Sequence, residues 1–197
     1  MRININMNNI LSYTDYLLEN IRCPKDDLVT LDMEILDKDG GTHMGKLKVH
    51  KDIKDDIILI FKELKEIGYP VECMRLASDF DNDDDKSMEH NNTYSYCHRY
   101  IRYTKRLSPH SFGICIDLNP RYNPCVRFNE NGTIKSVFPE NGTEYADRKI
   151  ESPYKITPEV VDIFKKYGFS WGGDWKNKKD YHHFERTDLR KKYLERK

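Results

Sequence analysis

Two segments of the 197-residue sequence set metal-ligating side chains beside rigid apolar ones. The first is Ser108-Pro109-His110-Ser111-Phe112-Gly113-Ile114-Cys115-Ile116-Asp117, in which a glycine separates an imidazole from a carboxylate. Fully extended, the chain from His110 to Asp117 spans about 23 Å, too far for both to reach one ion. Gly113 permits the bend that would bring them together. Asp117 stands between Ile116 and Leu118, and a carboxylate projecting from an apolar strand is costly unless a charge compensates it. A metal ion would supply that charge. The competing reading is a surface histidine and an edge-strand aspartate.

The second segment runs from Trp171-Gly172-Gly173-Asp174-Trp175 to Asp180-Tyr181-His182-His183-Phe184-Glu185 and holds both tryptophans of the chain. Its Gly-Gly pair lets the backbone pack closely. A carboxylate three residues before an imidazole suits a zinc hydrolase, because the imidazole can bind the ion while the carboxylate reaches the attacking water. Zinc lowers the pKa of a bound water to about 7, and a carboxylate can then take its proton. Catalytic zinc usually has three protein ligands and one open position. His110, Asp117 and one of His182 and His183 would fill that quota, and spacing alone does not choose between the last two. A structural Trp/His cluster is the alternative here.

Other candidates carry less. Asp79, Asp81 and Asp83 alternate as in a calcium loop, but Asp84 occupies the sixth position where glycine is needed and His90 the twelfth where glutamate is needed. This stretch is expected to be a solvated loop. Cys115 beside His110 suggests a nucleophile, yet a thiol between two isoleucines is raised in pKa by burial and reads as packing. His43, His50, His90 and His98 have no partner pattern and are expected at the surface. Asn131-Gly132-Thr133 and Asn141-Gly142-Thr143 match a glycosylation pattern that matters only on a secretory route.

The elements that must hold these groups can be read from periodicity. Residues 9–22 carry Tyr13, Leu17, Leu18 and Ile21 at helical spacing, ended by Pro24. Val29, Leu31, Met33 and Ile35 alternate with polar residues, as do Leu47 and Val49, so 28–50 reads as a hairpin turning at Asp39-Gly40-Gly41. Ile53, Ile57, Ile60, Phe61, Leu64 and Ile67 give a helix over 52–67, with Gly68 at its C-cap. A short strand is expected from Val71 to Leu76, another over Ile114–Leu118, and a strand pair, Val126–Phe128 and Ile134–Phe138, around Asn131-Gly132. Thr157-Pro158 opens a helix that turns Val160, Ile163, Phe164 and Tyr167 inward and ends at Gly168. A last strand is expected over Tyr181–Glu185, followed by a charged, fraying tail over 187–197. With few helices and short strands the fold class is α+β.

Composition bounds the function. The 33 basic and 33 acidic side chains cancel, which removes the electrostatic case for a dedicated nucleic-acid binder. The 12% aromatic content argues for a folded domain despite 34% charge. No apolar run approaches the ~20 residues of a membrane span. The start lacks the ~7–15-residue apolar core of a secretory signal, so the chain is expected to stay inside its cell, to leave by another route or to lack its native start. Five cysteines without a Cys-x-x-Cys pair argue against a disulfide framework or a four-thiolate zinc site. The expected organisation is an N-terminal extension over 1–24, a catalytic domain over 25–186 and the tail 187–197.

At the two segments the sequence resembles the VanY-type D-alanyl-D-alanine carboxypeptidase family, zinc peptidases of bacterial cell-wall peptides that include L-alanyl-D-glutamate endopeptidases. The family motif S-x-H-x-x-G-x-A-x-D is matched by Ser108, His110, Gly113 and Asp117, with Cys115 in place of the alanine. The second motif looks like Asp180-Tyr181-His182-His183-Phe184-Glu185. Gly45–His50, Tyr69-Pro70-Val71, Ser87-Met88, Asn91-Asn92-Thr93 and Asp117-Leu118-Asn119-Pro120 are similar to further stretches of one subgroup, so the likeness covers about Asp27 to Glu185. Tyr94-Ser95-Tyr96-Cys97 departs from that subgroup's Ser-Ala-Phe-Asn.

The resemblance implies a small antiparallel sheet flanked by helices, the DD-peptidase/Hedgehog-like fold, with Zn2+ held by His110, Asp117 and His183 and with Asp180 as general base. It also implies an arginine for the substrate or oxyanion, Arg75 by first choice and Arg99 by second. Ser108, Trp171 and Trp175 are the expected substrate-binding residues. The implied partner is a peptidoglycan peptide, met by a monomer acting on the cell wall. A phage-type endolysin released by lysis and a wall-remodelling enzyme exported by another route both fit. The alternatives are a non-catalytic wall-peptide binding module on the same fold and another zinc hydrolase, such as a nuclease using His182 and His183.

Overall fold

Strict alternation of apolar residues produces the longest strand pair, β1 (Leu28–Leu36) and β2 (Thr42–His50), which run antiparallel with Leu28 opposite His50 and Leu36 opposite Thr42. The structure, a computed structural model, describes residues 22–194, so the expected helix over 9–22 lies almost wholly outside the described residues. Asp37 closes the hairpin turn, its Oδ1 accepting the backbone N–H of Asp39 and of Gly41. Met33, Ile35, Leu47 and Val49 face inward onto α1 (Lys54–Glu66), which buries Ile57, Ile60, Phe61 and Leu64. Ile53 is buried in a short 3-10 turn just before α1, whereas Ile67, expected in the same stripe, is 39% exposed. Gly68 follows at φ +74°, where a glycine ends a helix without steric cost.

The expected strand over 71–76 is not formed. The segment is extended, with one isolated bridge between Cys73 and Asn92. Its backbone is bonded piecemeal, with the Val71 N–H on the Leu36 carbonyl and the Met74 carbonyl accepting the Lys46 N–H, while asparagine side chains take two further amides: Asn119 Oδ1 accepts the Glu72 N–H and Asn92 Oδ1 accepts the Arg75 N–H. The acidic stretch is also more ordered than expected. A 3-10 turn over Ala77–Phe80 leads through left-handed Asp81 and Asn82 into α2 (Asp84–Glu89), capped by Asp83, whose carboxylate accepts the Lys86 N–H.

Two three-stranded sheets complete the scaffold. One has the order β3 (Cys115–Asp117), β8 (His183–Glu185), β6 (Ser170–Trp171), and the other β5 (Ile134–Phe138), β4 (Cys125–Phe128), β7 (Lys178–Asp180). All their pairings are antiparallel. The expected strand over 181–185 is therefore split. Tyr181 and His182 are the link that carries the chain from β7 in one sheet to β8 in the other.

Helix α3 (Pro158–Lys166) begins with the Thr157 side chain accepting the Val160 N–H and buries Val160, Val161, Ile163 and Phe164. Phe164 stacks on Phe184 of β8 with ring centroids 3.8 Å apart, which seats the helix directly behind that strand. Tyr167 is only half-buried, its hydroxyl on Glu63 of α1. The tail does not fray over its described part. It forms α4 (Thr187–Leu194), with Leu189 buried, Arg190 on Glu185 and Tyr193 stacked on Phe112. No helix among the described residues is long and apolar enough to cross a membrane. All five cysteines are free thiols.

Candidate metal centre

The register of β3 and β8 decides which side chains meet. Cys115 lies opposite Glu185, Ile116 opposite Phe184 and Asp117 opposite His183. Since successive side chains on a strand point to opposite faces, Ile116 and Phe184 enter the core, while Cys115, Asp117, His183 and Glu185 share the other face. His110 joins them from a 3-10 turn, Pro109–Phe112, in which the Ser108 hydroxyl accepts the His110 N–H and Gly113 closes the turn at φ +63°. A Cβ on Gly113 would sit 2.9 Å from the His50 backbone nitrogen, so this bend also needs a residue without a side chain. Asp180 ends β7. A Cβ on Gly172 would lie 2.5 Å from the Asp180 carbonyl oxygen, which is why the Gly-Gly pair can bring the second segment this close.

His110 Nε2 lies 3.2 Å from Asp117 Oδ2, and His183 Nδ1 lies 2.8 Å from Asp117 Oδ1. The Asp117 side chain is 2% exposed. His110 Nδ1 donates to the Ser95 carbonyl at 2.6 Å. A carbonyl only accepts, so the proton sits on Nδ1 and the Nε2 lone pair faces Asp117. His183 is braced on its far side as well, with Nε2 3.6 Å from Glu185 Oε2, and Glu185 is held in turn by Arg190. An acceptor on the outer nitrogen of each imidazole is the outer-shell arrangement of metal-binding histidines. Two imidazole nitrogens and a carboxylate also suit the ligand preference of zinc. The residues present fit a zinc ion.

Next to this trio, His182 Nε2 lies 2.9 Å from Asp180 Oδ1 and 3.8 Å from Asp117 Oδ2, while its Nδ1 donates to the Asn123 carbonyl at 2.9 Å. Lys178 Nζ lies 2.9 Å from the other Asp180 oxygen. Electrostatics follow from burial and charge. Burial alone would raise the Asp117 pKa, yet the imidazoles of His110, His182 and His183 hold it well below the usual carboxylate range. Asp180 is likewise raised by burial and lowered, with a net fall, by His182 and Lys178. Burial disfavours the His183 imidazolium, but Asp117 and Glu185 push its pKa up to about 10. Taken together this is a buried anionic nest that demands cations, as protons or as a metal.

Cys115 belongs to the same nest. Donor atoms of His110, Cys115 and His183 all lie within 4.8 Å of one another. Burial, then the nearby Asp117 and Glu185, push its thiol pKa well up.

The cleft in front of these groups is lined by Asp117, Asp180, His183, Trp175 and Arg99 among others. Of the two expected arginines, Arg75 is outside it. Its side chain is 57% exposed, pairs with Asp79 at 3.3 Å and covers Phe80, both residues of the 3-10 turn after Leu76. Arg99 is in the cleft wall, held by Asp84 at 3.0 Å and by the Tyr94 hydroxyl at 3.2 Å. Trp175 covers His183 with ring centroids 5.4 Å apart. Trp171 instead packs on Phe184 and donates its Nε1–H to the Tyr181 carbonyl, so it supports the core rather than the cleft. Ser108 lines the cleft, with its hydroxyl engaged as the cap of the His110 turn.

Sequence reasoning missed several residues. Asp84, placed in a solvated loop, anchors Arg99, and Glu185 braces His183; the His183-x-Glu185 alternation on a strand was a signal for the second but nothing in the spacing signalled the first. Arg102 and Arg127 also line the cleft, each with its guanidinium over the Phe138 ring. His50, expected at the surface, is fully buried and accepts the Asp52 N–H at the 3-10 turn before α1.

Residues 102–186, the segment that carries both motifs, match a family described as D-alanyl-D-alanine carboxypeptidase. A curated relative, the peptidoglycan L-alanyl-D-glutamate endopeptidase CwlK of Bacillus subtilis, is 67% identical over 27 residues, which cover 14% of this chain and 16% of the relative's own length. No solved structure matches the chain.

Proposed function

We propose that the chain is a zinc metallopeptidase that hydrolyses a peptide bond in peptidoglycan stem peptides, on the DD-peptidase/Hedgehog-like fold and as a monomer acting on the cell wall. The catalytic domain is residues 25–186, with α4 packed against it. The observation that carries this reading is the meeting of His110 Nε2, Asp117 and His183 Nδ1 beside Asp180 in one cleft. The family match and the short likeness to a wall endopeptidase support the substrate class.

In this reading His110, Asp117 and His183 hold the ion. Bound there, zinc supplies a Lewis acid for the scissile carbonyl and an acidified water. Asp180 takes the proton of the attacking water on a carboxylate oxygen and returns it to the leaving amine. Its ionised state at neutral pH, set by His182 and Lys178, is the state a base needs. Arg99, fixed by Asp84 and Tyr94, directs its charge at the substrate carbonyl or carboxylate without having to reorganise. Trp175 shields one side of the cleft over His183.

The test is digestion of purified stem peptides, read by mass spectrometry of the products. Release of terminal D-alanine identifies a carboxypeptidase, and cleavage between L-alanine and D-glutamate an endopeptidase. Intact peptides after incubation with the zinc-loaded chain would contradict the reading.

A further inference from the structure

The alternation that brings Asp117 and His183 together also brings Cys115 to the same face. Cys115 is two residues before Asp117 on β3 and diagonal to His183 across the ladder. It is fully buried, and its thiol makes no hydrogen bond among the described residues. Its direct cross-strand neighbour, Glu185, is already engaged by Arg190 at 3.0 and 3.1 Å. What the thiol does face is two imidazoles, His110 and His183, with all three donor atoms mutually within 4.8 Å. A buried sulfur between two imidazoles, beside a carboxylate, is a donor set for a thiophilic ion rather than a packing position alone.

We propose that Cys115 is a ligand of the ion held in this cleft, adding a thiolate to the imidazoles of His110 and His183. The inference rests on the metallopeptidase reading only in requiring that an ion bind between those two histidines. Cys115 has no exposed surface and stands behind the residues that line the cleft, whereas Asp180 and Trp175 are in its lining. A fourth protein donor from behind therefore leaves the cleft side free for a fifth, since zinc sites expand to five-coordinate. The soft donor favours Zn2+, Cd2+ or Co2+ over Mg2+ and Mn2+. Alanine at this position, which the resembled motif carries, fits the same space, so Cys115→Ala is expected to fold.

The experiment loads the full chain with Co2+ and records absorption from the near ultraviolet to the visible, with cobalt content measured alongside. The native chain should bind one equivalent and show both the visible bands of a low-symmetry Co2+ site and a near-ultraviolet thiolate-to-cobalt charge-transfer band. Cys115→Ala should keep the visible bands and the stoichiometry and lose the charge-transfer band. Cys125→Ala, which removes the thiol that lines the cleft itself, should keep all three. A native chain with visible bands but no charge-transfer band, or a band that survives in Cys115→Ala, overturns the thiolate ligand and leaves the metallopeptidase reading intact. A native chain that takes up no Co2+ overturns both.

Discussion

The two faces of the β3/β8 ladder divide its three pairs of residues between opposite purposes. On one face Ile116 and Phe184 are fully buried, with Phe184 stacked on Phe164 of α3 at an interplanar angle of 13°. On the other, Cys115, Asp117, His183 and Glu185 are buried as polar groups. The apolar face contributes stability, about 1.5–3 kcal/mol for a buried side chain of this size. The polar face withdraws charge from water, which is unfavourable unless every group is compensated. A one-residue slip would exchange the two faces. The packing of Ile116 and Phe184 therefore fixes the register that sets Asp117 opposite His183.

Breaking the polar site in front of this face, to which Asp180 of β7 is added from the neighbouring sheet, should change chemistry and leave the fold in place. Asp180→Ala is expected to retain the ion and to lower turnover about 10²–10⁴-fold, the range for removal of a general base. Steady-state hydrolysis measured beside zinc content would show it, and undiminished turnover would remove Asp180 from the mechanism. Breaking the apolar face should do the reverse. Phe184→Ala is expected to cost about 3–5 kcal/mol of stability in a denaturant titration, with both the lost transfer energy and the cavity counted.

The two arginines sharpen the same contrast. Arg99→Ala, which strips the cleft wall of a charge held by Asp84 and Tyr94, should lower kcat/KM by about 10²-fold or more, as for a lost oxyanion donor. Arg75→Ala, at an exposed site outside the cleft, should stay within about 0.5 kcal/mol in stability and leave kcat/KM unchanged. A loss in Arg75→Ala with none in Arg99→Ala would reverse the assignment.

The smallest effect distinguishes the faces by pH. In the metal-free chain the His183 pKa is raised from 6.5 to about 10, so its imidazolium stabilises the fold fully below about pH 6.5, and that contribution is lost as pH rises to about 10. Asp117 is lowered, so its contribution is present above about pH 3.9 and is lost as pH falls through the depressed value. Denaturant midpoints of the metal-free native chain should therefore decline over both windows. His183→Ala should flatten the upper one.

Much of this was legible in the sequence because it depends on local period and punctuation. Alternation gave the hairpin, the helical stripe with Gly68 gave α1, and Thr157-Pro158 gave the start of α3. The meeting of His110 with Asp117 was legible through Gly113. What escaped was decided by distant partners. The segment 71–76 has the composition of a strand, yet Asn119 and Asn92 side chains take its Glu72 and Arg75 amides, and its main chain bonds Leu36, Lys46 and Thr93 singly instead of one continuous partner. Asp84 looked like one more acid in a solvated run until Arg99 and Tyr94, remote in sequence, folded over it. The tail reads as charged and loose, but Leu189 and Tyr193 find Phe112 and the core. Arg75 and Arg99 differ in sequence only by position, and only the fold turns one towards the nest.

The central claim is that one ion is held between the two motifs. The most direct test is the zinc content of the purified full chain, native and His183→Ala, by elemental mass spectrometry after equilibration with zinc. About one zinc is expected per native chain, lost in a variant that keeps its far-ultraviolet spectrum. A native chain that binds no zinc, or a folded His183→Ala chain that binds as much as the native, would contradict it.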